Sequence, residues 1–156
     1  MRAFTFLLLA TALVSTTRNA RAQEGDSPPV AQWTPATLFP PGALLAVVSG
    51  DPAQPGQTTA ELSLPDGYRV PRHHHPMGER LEVRQGTLLV GTGERFDARN
   101  ADTLRTGDTV FTATGVHHYW VALGPTVVAL TFDGPYTITY VNAYEAPKGT
   151  SFPYRY

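Results

Sequence analysis

The sequence predicts an all-β domain, a sandwich or barrel built from short strands. Nine segments rich in β-branched and aromatic residues follow one another, and clusters of Gly, Pro and Asp separate them as turn signals. No segment carries a convincing run of apolar residues at helical spacing. The predicted strands are residues 44–49, 59–64, 68–71, 81–84, 87–91, 109–112, 117–122, 126–132 and 137–141.

The first 22 residues have the three-part layout of a secretory signal peptide. Arg2 forms a short basic region, residues 3–14 form an apolar run, and the Ala-Arg-Ala sequence at 20–22 matches a cleavage site. The apolar run is too short to span a bilayer, which takes roughly 20 residues, so a membrane anchor is the less favoured alternative. We therefore expect a secreted or periplasmic protein whose mature chain begins at Gln23.

The charge and the cysteine content exclude several classes of partner and chemistry. All 13 acidic residues follow position 22, whereas three of the 12 basic residues precede it, so the mature 134 residues carry a formal charge of −4. No basic run remains to bind nucleic acid or an anionic membrane surface. The chain contains no cysteine, which excludes disulfides and thiolate ligands. Its stability must come from the core and from metal or subunit contacts, and a homodimer is compatible with the sequence.

Residues 23–41 are rich in Pro, Ser and other polar residues, with Trp33 and Phe39 as the large side chains. This composition indicates an extended N-terminal arm that docks its two aromatic rings and does not form a separate domain. The remaining residues, 42–156, are enough for one domain with its own core.

All five histidines fall in two clusters, at residues 73–75 and 117–118. Side chains two positions apart on a strand lie on the same face of the sheet. His73 and His75 therefore project together, while His74 points the other way. A histidine of the second cluster would reach the first pair from a distant strand.

Glu79 follows a turn formed around Pro76 and Gly78, which can bring its carboxylate back beside the first pair of imidazoles. Three neutral imidazoles and one carboxylate form a site of intermediate softness. Such a site suits one divalent transition metal ion, Fe, Mn, Zn, Ni or Cu, and leaves coordination positions open to water or substrate.

The spacing of these residues resembles the first motif of the cupin superfamily, G-x5-H-x-H-x3-E-x6-G. Gly67, His73, His75, Glu79 and Gly86 occupy every fixed position of that motif. The resemblance implies a cupin-type jelly-roll β-barrel with one metal ion inside its mouth.

The second cupin motif, G-x5-P-x-G-x2-H-x3-N, is matched in part. Gly107, Gly115 and His118 are in place, whereas Ala113 stands for the usual proline and Ala122 for the usual asparagine. The family spacing selects His118 over its neighbour as the fourth ligand. The two departures lie outside the ligand set, so they bear on the turn geometry more than on the metal.

Other residues near the motifs have competing interpretations. His74 and His117 each lie beside an implied ligand, and strand alternation places both on the outer surface. Trp120 shares the parity of His118, which predicts that it lines the pocket, with plain core packing as an equal alternative. Four arginines surround the first motif and are expected on an exposed strand face more than as a clamp for a substrate carboxylate: Arg69, Arg72, Arg80 and Arg84.

These residues predict an enzyme that uses its metal as a Lewis acid or redox centre on a small organic substrate. Oxidation of the kind catalysed by the dioxygenases that this site resembles is the leading expectation. Glu79 is the candidate catalytic residue, acting as a general base once it leaves the metal. A metal-dependent isomerase, lyase or decarboxylase is the alternative if the ion is Zn or Ni. A non-catalytic module that binds metal or a small ligand, or an interaction domain with a vestigial site, remains open from sequence.

Overall fold

A computed structural model describes residues 32–93 and 95–148, so the predicted signal peptide at 1–22 and the first part of the arm lie outside it. The described secondary structure is almost entirely β, which confirms the predicted fold class. Two short 3-10 helices, Ala98–Asn100 and Ala143–Glu145, complete it, and neither has the length or apolar character to cross a membrane. The strands are β1 Thr34–Pro35, β2 Leu44–Ser49, β3 Gly56–Leu64, β4 Arg69–His74, β5 Glu79–Gln85, β6 Thr87–Thr92, β7 Asp102–Arg105, β8 Thr109–Thr112, β9 His118–Ala122, β10 Thr126–Gly134 and β11 Thr139–Tyr140.

The strands form two antiparallel sheets that enclose the core in a jelly-roll arrangement. The larger sheet has the order β1-β2-β3-β10-β5-β8, and the smaller has the order β11-β4-β9-β6-β7. Burial of the apolar side chains between the sheets is the main favourable contribution to folding. The most deeply buried of these side chains are Leu62, Leu64, Val70, Leu81, Val83, Leu88, Trp120, Val128 and Leu130.

Strand alternation decides which side chains enter the barrel. Every second residue of β3 from Thr58 to Leu64 is buried. In β5 the same period buries Glu79, Leu81 and Val83 on one face. Glu79 is therefore the first residue of β5 and points into the barrel, on the same face as the apolar Leu81 and Val83.

Gly86 connects β5 of the larger sheet to β6 of the smaller one. Its φ angle is +88°, in the region that favours glycine, and a Cβ there would lie 2.5 Å from the carbonyl oxygen of Pro125. The chain can change sheets so tightly only because this position has no side chain.

The predicted strand ends differ from the observed ones by up to three residues, and two strands were not predicted. β4 continues to His74 instead of ending at residue 71. β7 pairs with β6 at the sheet edge and its residues are mostly exposed and polar, so it lacks the alternation that marks a strand in sequence. β1 has two residues, too few to show any period.

The described part of the arm is tied to the barrel. β1 pairs with β2, and the hydroxyl of Tyr140 donates a hydrogen bond to the carbonyl oxygen of Leu38 at 2.9 Å. Phe39 is buried in the core, whereas Trp33 is 39 % exposed. Of the two aromatic anchors expected from the sequence, the fold buries only Phe39.

Candidate metal centre

Three histidines converge inside the barrel. His73 lies near the end of β4, His75 follows that strand directly, and His118 opens β9 opposite His73. The ligand nitrogens of all three lie within 4.8 Å of one another, and each side chain is at most 2 % exposed.

A register shift in β4 brings these rings inward. Val70 pairs with Trp120 and His73 pairs with His118, so the two residues between them in β4 oppose the single residue Tyr119 of β9. This β-bulge allows Val70 and His73 to face the interior although an odd number of positions separates them. Pro71 lies within the bulge, a position that accepts proline because the ladder is already interrupted there.

Each imidazole is held by a backbone carbonyl oxygen. The Nδ1–H groups of His73, His75 and His118 donate to the oxygens of Pro71 at 2.7 Å, Thr137 at 2.7 Å and Val116 at 2.9 Å. Because a carbonyl can only accept, Nδ1 carries the proton and Nε2 presents its lone pair. The Nε2 atoms of His73 and His118 have no hydrogen-bond partner among the described residues.

This arrangement fits a metal ion. Buried nitrogens without a partner are costly in a folded protein unless something binds them. Protein metal sites commonly use a neutral histidine that binds through one nitrogen while the other donates to a backbone carbonyl. The three residues that would hold the ion here are His73, His75 and His118.

Burial keeps the cluster uncharged. Desolvation holds the pKa of His73 well below its ordinary value, and the neighbouring His118 and His75 lower it further. Desolvation also lowers the pKa of His75 to about 4 and lowers that of His118. All three rings are therefore neutral at physiological pH, the form that binds metal ions.

Glu79 lies beside one of these rings. Its Oε2 is 3.7 Å from Nε2 of His75, and its Oε1 has no hydrogen-bond partner among the described residues. Burial raises the pKa of Glu79 to about 7, an effect that a hydrogen bond from Tyr136 partly opposes. Because His75 is neutral, this contact is not an ion pair. The carboxylate is adjacent to one ring of the cluster, and the group whose ligand atoms converge within 4.8 Å consists of the three histidines without Glu79.

Tyr136 is a site residue that the sequence reasoning missed. Its hydroxyl donates to Oε2 of Glu79 at 2.9 Å and lies 3.3 Å from Nε2 of His75. Its ring packs against Phe132 and Phe39, with ring centroids 4.5 Å and 6.4 Å away. No motif position marks Tyr136, because its approach to Glu79 depends on the loop after β10, 57 residues further along the chain.

Solved structures share this architecture. A cupin 2 domain-containing protein from Halorhodospira halophila superposes with a TM-score of 0.55 at 21 % identity, over 67 % of this chain and 73 % of that one. An RmlC-like cupin from Shewanella frigidimarina superposes with a TM-score of 0.54 at 16 % identity, over 66 % and 83 % of the two chains. The chain has the cupin fold.

A third cupin-fold neighbour is an oxalate oxidase described in a structural and spectroscopic study of its mechanism. It superposes with a TM-score of 0.53 at 21 % identity, over 85 % of this chain and 73 % of that one. No protein-family model matches the chain, and no curated protein matches it. At these identities the likeness establishes the fold, and the chemistry has to be argued from the site.

Trp120 packs inside the cupin barrel against the histidines. Its ring centroid lies 5.5 Å from that of His73 and 5.9 Å from that of His118, and Phe39 stacks on it at 6.2 Å. It is 1 % exposed and forms part of the hydrophobic core. Its indole therefore supports the imidazoles from the core side.

His74, in β4, and His117, directly before β9, lie outside the buried histidine cluster. Both are partly exposed, and their ring centroids are 5.1 Å apart. The arginines near the first motif also lie outside the histidine cluster. Arg69 stacks over the ring of Phe96 at 5.3 Å, and Arg84 forms a 2.6 Å ion pair with Glu82.

Proposed function

We propose that the chain is an exported, mononuclear metal-dependent cupin that oxidises a small organic substrate in a dioxygenase-like reaction. The observation that carries this proposal is the set of three neutral, buried imidazoles, each oriented through Nδ1 by a carbonyl and converging within 4.8 Å. His73, His75, His118 and Glu79 are the proposed ligands of one divalent transition metal ion.

The bound metal would supply Lewis-acid or redox chemistry on a coordinated substrate oxygen. The protein side chains perform the remaining tasks. The apolar residues behind the cluster, Trp120 among them, exclude bulk water from the histidines. Glu79 is the proposed base. The Tyr136 hydroxyl binds Oε2 of its buried carboxylate, whereas Oε1 has no hydrogen-bond partner among the described residues and can take a proton.

The metal assignment is tested by elemental analysis of the protein exported by its host and of two variants. His75→Ala should lower the metal content and the melting temperature, because the metal binds the folded state only. His74→Ala removes a histidine from the outer face of the same segment and should change neither. A full metal complement in both variants would contradict the assignment.

The reaction class is tested by oxygen uptake with catechol and enol substrates after reconstitution with Fe(II) or Mn(II). Uptake that requires both metal and substrate supports the oxidation. Turnover of enol substrates without oxygen uptake would indicate a metal-dependent isomerase, lyase or decarboxylase instead. A metal-loaded protein that binds such compounds and turns none over would be a binding module.

A further inference from the structure

A small pocket lies against β4 and β9, and none of the proposed metal ligands lines it. Its volume is about 130 Å³, room for about four water-sized groups. The rings of Phe96 and Tyr119, with centroids 4.8 Å apart, form part of its wall. Its charged lining residues are Arg69 and Arg72 of β4 and Glu145 of the second 3-10 helix.

The bulge in β4 accounts for the presence of both arginines at this pocket. Side chains three positions apart on a regular strand point to opposite faces of the sheet. The register shift after Val70 interrupts that alternation. Arg69 and Arg72 consequently line the same pocket, outside the barrel, while His73 is buried inside it.

Neither of these arginines is neutralised by an ion pair within the described part of the chain. The arginines that form ion pairs there are Arg84 and Arg99. The guanidinium of Arg69 is positioned over the ring of Phe96, with its Cζ 5.3 Å from the ring centroid, a contact that involves no anion. Two arginines and one glutamate leave the lining with a formal charge of +1.

We propose that this pocket binds a small organic monocarboxylate, independently of the metal centre. A guanidinium offers N–H donors in a planar fork that matches the two oxygens of a carboxylate. The charge of the lining balances one negative charge, and the Glu145 carboxylate repels a second one. The rings of Phe96 and Tyr119 offer apolar surface to the carbon body of the ligand, which an inorganic anion lacks.

The test uses three compounds of similar shape and protein stripped of metal, because a carboxylate could also bind a metal ion at the histidine cluster. Isobutyrate represents the proposed class, isobutyramide lacks its charge, and methylmalonate carries a second carboxylate in place of one methyl group. Affinities are measured by saturation-transfer NMR titration at pH 8 and constant ionic strength.

Isobutyrate should bind at least about tenfold more tightly than isobutyramide, a difference of about 1.4 kcal/mol, and also more tightly than methylmalonate. No binding of isobutyrate, or equal binding of the amide, would overturn the anion site. Tighter binding of methylmalonate would overturn the monocarboxylate class.

Three variants with the same change in net charge locate the site. Arg69→Gln and Arg72→Gln should each weaken isobutyrate binding at least about threefold, because each removes one guanidinium from the pocket. Arg80→Gln, at an exposed arginine of β5 that does not line the pocket, is the matched control and should bind like the unmodified protein. Equal weakening by all three, or no weakening by the two pocket variants, would overturn the assignment.

Two further variants test the selectivity and the independence from the metal centre. Glu145→Gln should tighten isobutyrate binding and reduce the preference for isobutyrate over methylmalonate, because it removes the repulsive carboxylate. His75→Ala removes a proposed metal ligand and should leave isobutyrate binding unchanged. Loss of isobutyrate binding in His75→Ala would place the ligand at the histidine cluster and overturn the inference, whereas failure of zinc to bind would leave it standing.

Discussion

Replacing Glu79 with glutamine should change the stability of the metal-free protein and its affinity for metal in opposite directions. Burial raises the pKa of the Glu79 carboxyl from 4.5 to about 7. Because the pKa is higher in the folded protein, the contribution of this group to the free energy of unfolding is fully present below the unfolded-state pKa. That contribution is lost as the pH rises through about 7. At alkaline pH the fold therefore holds a carboxylate that would be more stable in water.

The magnitude follows from the size of the shift. With 1.36 kcal/mol per pKa unit, the buried charge lowers the free energy of unfolding by about 3 kcal/mol at pH 8 and by about 1 kcal/mol at pH 5. Glu79→Gln removes the charge and keeps the shape. The increase in the free energy of unfolding caused by Glu79→Gln should therefore be about 2–3 kcal/mol larger at pH 8 than at pH 5.

The assay is urea unfolding of metal-free protein at the two pH values, with a chelator present. The difference in stability between a protein with a neutral carboxyl and one with an amide at this position does not depend on pH. It therefore cancels when the effects at the two pH values are subtracted. Glu82→Gln, at a partly exposed position three residues later in β5, is the control, and its stability should change by less than about 1 kcal/mol at either pH. A Glu79→Gln effect that is the same at pH 5 and pH 8 would refute the argument from desolvation.

Metal binding should respond in the other direction. Loss of the carboxylate at position 79 should weaken zinc binding at least about tenfold, as expected when a group that completes or orients a metal site is removed. A variant more stable without metal and weaker with it would show that the fold retains Glu79 for the metal and not for stability.

Three further predictions concern other parts of the molecule. Gly91→Ala should lower stability by about 1–3 kcal/mol in thermal unfolding, because the added Cβ would lie 2.0 Å from Cζ of Tyr119; an unchanged melting temperature would contradict this packing. Zinc affinity should fall as the pH drops from 7 to 5, because Glu79 takes up a proton there while His75 does not, and Glu79→Gln should flatten this dependence. Mature protein from the host should begin at or near Gln23 by N-terminal sequencing, whereas an intact Met1 on membrane-bound material would indicate an anchor.

Local patterns in the sequence were enough to predict the fold class and to propose His73, His75 and Glu79 as ligands, whereas His118 was selected by the family spacing. Alternation with a period of two marks β3 and β5, because each has one face in the core. Histidines two positions apart, with a glutamate four positions later, can be read without knowledge of distant contacts. The edge strand β7 was not predicted because three of its four side chains are exposed and Leu104 alone packs against the core, which is too little to show alternation.

Only the tertiary structure decided how the site is built, because its remaining parts come from segments far apart in sequence. The bulge in β4 depends on pairing with β9 and turns His73 inward. The Nδ1 atom of His75 is held by the carbonyl of Thr137, 62 residues away, and no spacing rule reports such a contact. Tyr136 reaches Glu79 in the same way, over a loop whose path is set by packing against Phe39 and Phe132. The sequence by itself determined which groups can bind a metal; packing between distant strands determined their protonation and their orientation.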